Sequence, residues 1–176
     1  VIGEGSVPGS TIYEKMNPKL QQRALFVEDE IFLTDSWNTT WGLRQDWHEN
    51  YGNHLSPRLY SVYDVNSNWT IKGGVSGGFK TPNIRAITPN YTMPTGGPNG
   101  TGIIYGNPDL QPETSVTGEM SAIYSFKRKW NLSLTAFVTN FEDKIINYNT
   151  GETDDNGFSV WKNMNADTAR VRGLES

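Results

Sequence analysis

The chain has no cysteine and only two histidines, which excludes a disulfide scaffold and a thiolate zinc site and suits folding in an oxidising compartment. No apolar run approaches the roughly 18 residues of a membrane-spanning helix, and a mean hydropathy of -0.58 excludes a bundle of such helices. Basic residues are not in excess: 15 Lys and Arg stand against 19 Asp and Glu, for a net charge of -4. Without a basic stripe, a nucleic-acid partner is not expected. Val1 to Gly5 has neither the basic start nor the apolar stretch of a secretory signal, so any export signal is expected elsewhere. No nucleophile stands with a base, and an enzyme is not expected.

What the chain does have is aromatic residues at 12% and 18 glycines, with a hydrophobic share of only 35%. That mix favours strands and turns. Trp37, Trp69 and Trp130 each follow a short polar turn and open a period-two pattern. Stepping by two gives Thr39, Trp41, Leu43; Ile71, Gly73, Val75; and Leu132, Leu134, Ala136, Val138. The interleaved positions are polar apart from Phe137: Thr40, Gly42, Arg44, Asp46; Lys72, Gly74, Ser76, Gly78; Ser133, Thr135, Thr139. One apolar and one wet face at period two describe a half-buried strand, and a tryptophan at the same end of each suggests an interfacial girdle.

Seven strands are predicted, at 20–33, 37–47, 57–65, 69–80, 113–126, 130–143 and 158–175. Their links alternate, short at 34–36, 66–68 and 127–129, long at 48–56, 81–112 and 144–157. In a meander this puts short turns on one edge and long loops on the other, as in transmembrane β-barrels. The predicted strands match or exceed the roughly 9–11 residues needed to cross a tilted bilayer. The expected fold is therefore all-β, an antiparallel up-and-down transmembrane barrel. A soluble β-rich ligand-binding domain is the alternative, which would have shorter strands. Asp29 interrupts the apolar parity of Leu25, Val27, Ile31 and Leu33, which implies an interfacial position or a bulge. Seven strands fall short of the roughly eight of the smallest barrels, so residues 1–176 are expected to be part of a larger one.

Two stretches carry a family resemblance: Gly77-Gly78-Phe79-Lys80-Thr81-Pro82-Asn83-Ile84-Arg85, and Gly106-Asn107-Pro108-Asp109-Leu110-Gln111-Pro112-Glu113-Thr114-Ser115. With Leu25 to Glu30, Leu55 to Tyr60 and Ala169 to Glu175 in the same order, the chain resembles the TonB-dependent outer-membrane receptors. His48 to Tyr63 and the approach through Tyr105 look most like catecholate siderophore and colicin I receptors. The resemblance implies a barrel of about 22 strands, of which this chain would be part, with an N-terminal plug domain absent from this sequence. It further implies uptake of a ferric siderophore at the outer membrane of a Gram-negative bacterium, with TonB, outer-membrane lipid and colicins or phage as partners. Haem, cobalamin or an oligosaccharide are the alternative cargoes. Between Gly106 and Thr114, Pro108 and Pro112 restrict the backbone, Asn107 and Asp109 supply turn-capping side chains, and Gly106 permits positive φ.

A ferric catecholate is large, aromatic and anionic, so its site should combine cations with aromatic rings. Arg85, Tyr91 and Tyr105 lie in or beside the longest link and Lys80 at its base; these four are the candidate ligand-binding residues, Arg85 first. The Gly- and Pro-rich run from Thr92 to Gly102 is expected to be a mobile gate. Lys72 and Arg44 fall on the polar face, where Asp46 or Glu119 could pair with them. No covalently bound cofactor and no metal site are expected: His48 and His54 are read as a loop pair without carboxylates in pattern. Asp154-Asp155-Asn156-Gly157 is read as a turn, lacking the distal glutamate of a calcium loop.

Overall fold

The computed structural model describes residues 19–89, 91–95, 102–126 and 129–176. In chain order they form β1 (Gln22–Thr34), β2 (Trp37–His48), β3 (Gly52–Asp64), β4 (Trp69–Lys80), α1 (Ile84–Ile87), β5 (Thr92–Thr95), β6 (Gly102–Tyr105), β7 (Glu113–Phe126), β8 (Trp130–Thr153) and β9 (Ser159–Glu175). All seven expected strands are present. The two four-residue strands β5 and β6 are additional, inside the link 81–112. Hydrogen bonds order the sheet as β1-β2-β3-β4-β7-β8-β9-β6-β5. β1 to β4 form an antiparallel meander, β7 and β8 another antiparallel pair, and β6 lies parallel to β9.

Two links are shorter than expected. The predicted loop 48–56 contracts to 49–51, because Gly52, at a φ of 69°, lets Gly52 to Ser56 ladder onto β2 as far as His48. Asn50 N–H donates to His48 Nδ1 at 3.2 Å within this turn. The predicted loop 144–157 contracts to 154–158, since β8 runs on to Thr153. Among the described links only 81–112 is long, so the short-long alternation does not hold. Residues 127 and 128 of one predicted turn, and 96–101 of the predicted gate, lie outside the described residues.

The chain divides into two compact units. The wall unit comprises Gln22–Lys80, Thr114–Glu142 and Thr168–Ser176. Across β1 to β4 its register aligns Asp29, Trp41, Leu59 and Val75 in one row, and Glu28, Gly42, Arg58 and Ser76 in the adjacent one. The two rows point to opposite faces, since successive residues of a strand do. The first face carries Leu59, Val75 and Leu134, all more than half exposed. No apolar side chain of this unit is buried among the described residues; Asp46, His48 and Ser121 are. The ladder between β1 and β2 shifts only between Phe32 and Thr34. Asp29 therefore keeps its outward place without a local bulge.

The three tryptophans open β2, β4 and β8 as expected. Trp37 meets Tyr63 edge to face at 6.2 Å, and Trp69 tilts against Tyr124 at 4.9 Å. Trp37 Nε1–H donates to Ser61 Oγ at 2.7 Å, so the ring's polar edge is satisfied while its body stays on the apolar face. Close strand approach explains the glycines of β4: a Cβ on Gly74 would lie 2.3 Å from the Leu59 carbonyl oxygen.

The loop unit comprises the described residues within 19–21, Thr81–Glu113 and Asp143–Asp167. It has an apolar core in which Ile103 and Val160 are buried, with Tyr105 and Phe158 packed against them; Leu110 and Ala86 are buried too. Asp143 at the boundary within β8 has a φ of 53°, a conformation uncommon outside glycine, asparagine and aspartate.

Candidate ligand site

Arg85 lies on α1, a single helical turn. Asn83 caps it, its Oδ1 accepting the Arg85 N–H at 2.9 Å, while Thr88 Oγ1 donates back to the Ile84 carbonyl at 2.6 Å. The short cap exposes Arg85 and holds its guanidinium 6.0 Å from the Tyr91 ring centroid, the outer limit of a cation-π contact. Tyr91 is fixed in turn, its N–H donating to Thr88 O at 3.2 Å and its carbonyl accepting from Gly106 N–H at 2.8 Å.

Tyr105 is in the same unit, opposite Thr92 on β6. Its phenol is pushed above the ordinary tyrosine range by burial first, and then by Asp154 and Asp155. It stays a neutral donor well above pH 7, with two carboxylates nearby. Those carboxylates oppose an anion beside Tyr105. Lys80 ends β4 in the wall unit, so Arg85, Tyr91 and Tyr105 share a unit and Lys80 belongs to the other.

The segment from Gly106 to Glu113 is structural. Gly106 does not use the positive φ open to it. It must be glycine because a Cβ would lie 2.1 Å from the Thr88 carbonyl oxygen. Asn107 N–H donates to Ala86 O at 2.6 Å and its Nδ2 to Asn163 O at 2.9 Å. Gln111 and Asn165 exchange two bonds, both at 2.9 Å. Glu113, buried, accepts from Ile145 N–H at 3.2 Å and pairs with Lys144 at 3.6 Å. These ties brace the turn that carries Arg85 and Tyr91.

A second cluster lies on the polar face of the wall unit. Arg44 grips Asp46 with two bonds of 2.8 and 2.9 Å, and Gln22 reaches the same carboxylate at 3.4 Å. His54, opposite Asp46 in the ladder, stacks on Phe79 with centroids 4.2 Å apart. His48 is buried against Tyr51 and its Nε2 has no partner. Both histidines stand on strands, correcting the loop pair expected from their spacing. Carrying the β2–β3 ladder past Ser56 would have found this cluster. Glu119 bonds to Tyr60. No group of three or more acidic, histidine or cysteine side chains able to hold a metal occurs among the described residues. Asp154 Oδ1 accepts from Asn156 and Phe158 N–H at 3.0 and 2.8 Å, which makes that acidic stretch a turn.

An inside-out wall with a braced loop unit has a match in sequence. Residues 3–176 fit the family described as "TonB dependent receptor-like, beta-barrel". The chain belongs to the TonB-dependent receptor family. Within it, the chain is 43% identical over 161 residues to the iron-regulated outer membrane virulence protein of Vibrio cholerae serotype O1, covering 88% of this chain and 24% of that protein. It is 35% identical over 187 residues to the ferric enterobactin receptor PirA of Pseudomonas aeruginosa, covering 99% of this chain and 25% of the relative. The chain thus spans about a quarter of these receptors' length. The crystal structure of the siderophore receptor PirA from Pseudomonas aeruginosa superposes with a TM-score of 0.79 at 33% identity, over 89% of this chain and 30% of that one. A variant of the ferric enterobactin receptor PfeA in complex with enterobactin gives 0.69 at 30% identity, over 88% and 24%. As a TonB-dependent receptor wall, the open sheet is a barrel fragment.

Proposed function

We propose that the chain is a stretch of barrel wall, with its loops, of an outer-membrane receptor that takes up ferric siderophores of the catecholate class. The observation that carries this reading is the 35% identity, over 99% of the chain, to a protein named a ferric enterobactin receptor. The chemistry agrees. An exposed guanidinium over a phenol ring offers an anionic, aromatic ligand charge-assisted hydrogen bonds and a stacking surface together. Arg85 and Tyr91 are assigned to ligand contact and Tyr105 to support of the loop unit. The complete wall has about 22 strands around a plug, and the plug, outside this sequence, carries the coupling to TonB. Colicins or phages that use such receptors would meet the same loop unit. The protein transports and does not catalyse.

The test is tryptophan quenching of the full-length receptor in detergent by a panel of ferric siderophores. Saturable quenching by catecholates, weakened by about 1–3 kcal/mol in Arg85→Ala, is the expected result. Unchanged affinity in that variant removes Arg85 as an anchor. A vitamin B12 transporter from Photobacterium profundum is 24% identical over 145 residues, so cobalamin is the second reading. Quenching by cobalamin in place of catecholates would select it.

A further inference from the structure

Inside the loop unit, β5, β6 and the start of β9 lie side by side as a small sheet whose two faces differ in chemistry. Met93 pairs with Ile104, and Ile104 with Trp161, so these three share a row on one face. Thr95, Gly102 and Ser159 form the next row on that face. Tyr91, whose carbonyl accepts the Gly106 N–H, lies one row along in the other direction, two residues before Met93. Tyr105, the residue on which Asp154 and Asp155 act, points to the opposite face with Ile103, Val160 and Phe158.

At Trp161 β9 has a neighbour on each side, β8 and β6, so this residue does not stand at a sheet edge. Its indole crosses β6: a Cβ on Gly102 would lie 2.9 Å from Trp161 Nε1 and 2.8 Å from Thr95 Cγ2. Glycine at 102 is what lets the ring lie across the ribbon. The ring stays half-buried, and its Nε1–H has no acceptor among the described residues. A covered tryptophan usually finds a partner for that group, so both the ring face and the donor of Trp161 are open to another molecule.

Arg85 reaches the same face through its contact with the Tyr91 ring. Rows two residues apart are separated by roughly 7 Å, with Met93 and the buried Ile104 as an apolar floor between Tyr91 and Trp161. A ferric catecholate presents flat rings and anionic oxygens in several directions at once. Two separated aromatic faces, one carrying a cation and the other a neutral donor, match that shape and charge. We propose that Trp161 is a second aromatic contact for the ferric catecholate, across Met93 and Ile104 from Arg85 and Tyr91, with Nε1–H donating to a catecholate oxygen. The inference rests on the siderophore reading and adds to it a residue on a different strand.

The experiment uses the full-length receptor in detergent and the gallium(III) complex of a hexadentate tris-catecholate, redox-inert in place of iron. Hydroxyl-radical footprinting read by mass spectrometry should show Trp161 protected when the complex binds, and Trp47, 40% exposed on the wall, as reactive as before. In equilibrium binding, Trp161→Ala should lower affinity about tenfold. Trp161→Phe keeps a ring on Gly102 and loses only the donor, so its affinity should fall about threefold. If Trp161→Ala does not fold, Trp161→Phe and the footprint decide. Wild-type binding without protection of Trp161, or with affinity unchanged in the folded variants, would overturn the proposal and leave the siderophore reading standing. A wild type that binds no catecholate complex would overturn both.

Discussion

The two units differ in what they bury: among the described residues both bury polar side chains, and only the loop unit also buries apolar ones. In the loop unit the interior holds Ile103, Ile104, Leu110 and Val160 beside the polar Thr92, Glu113 and Asn163. In the wall unit it holds Asp46, His48 and Ser121, while Leu59, Val75 and Leu134 stay more than half exposed. The loop unit sheds apolar surface from water, as any soluble domain does. In the proposed outer-membrane receptor the wall would show its apolar surface to hydrocarbon and would have to pair its polar groups internally, because lipid offers them no partner. A single mean hydropathy of -0.58 conceals two patterns of exposure.

Leu110→Ala should produce the largest effect. Leu110 is 0% exposed, and removing a fully buried leucine costs about 2–5 kcal/mol. The loss should appear as faster amide hydrogen exchange in the loop unit of the full-length receptor, with the wall strands unchanged. Faster exchange spread equally over both units would break the distinction. Next, Leu59→Arg should destabilise the receptor folded in lipid vesicles by about 2–4 kcal/mol if Leu59 lies near the bilayer midplane. Urea unfolding measures this. A value near zero would place the residue outside the hydrocarbon.

Much of the wall was legible because a period of two survives any error in strand ends. Trp37, Trp69 and Trp130 fix the parity, and the residues two apart fall on the face they indicate. What was not legible depends on pairing between distant segments. Asn53, His54 and Ser56 lack alternation, yet they extend β3 because β2 offers them a ladder as far as His48. β6 becomes a strand beside β9, more than fifty residues away in sequence, as Gly102 pairs with Ser159. In the candidate site, Arg85 and Tyr91 are close in sequence and their contact could be foreseen. The carboxylates beside Tyr105 come from Asp154 and Asp155, and no local pattern announces them.

Within the wall's polar face, Thr135→Val sharpens the comparison further. Ser121, buried, shares a 2.7 Å hydrogen bond with Thr135. Replacing the threonine hydroxyl by a methyl group keeps the shape and strands the serine, at a cost of about 1–3 kcal/mol. Urea unfolding of the same vesicle samples checks it, and no loss would mean that water reaches Ser121.

The smallest effect belongs to Glu28 and Arg58, 3.6 Å apart with side chains 51% and 54% exposed. Both stand on the polar face, where the register aligns them across Gly42. Arg58 also lies 5.7 Å from the Tyr60 ring, so removing Glu28 leaves the guanidinium a partner. A half-exposed pair at this distance gains little from Coulomb attraction in high dielectric and spends side-chain entropy on being held. The coupling from a double-mutant cycle of Glu28→Gln and Arg58→Gln should fall within about 0–1 kcal/mol. It should shrink further as salt rises, because screening acts most on exposed charges. A coupling that is large and indifferent to salt would mean that this face is shielded from water in the assembled receptor. The polar face would then be an interior in its own right, and the contrast between the two units would be one of which groups are buried rather than of which solvent each faces.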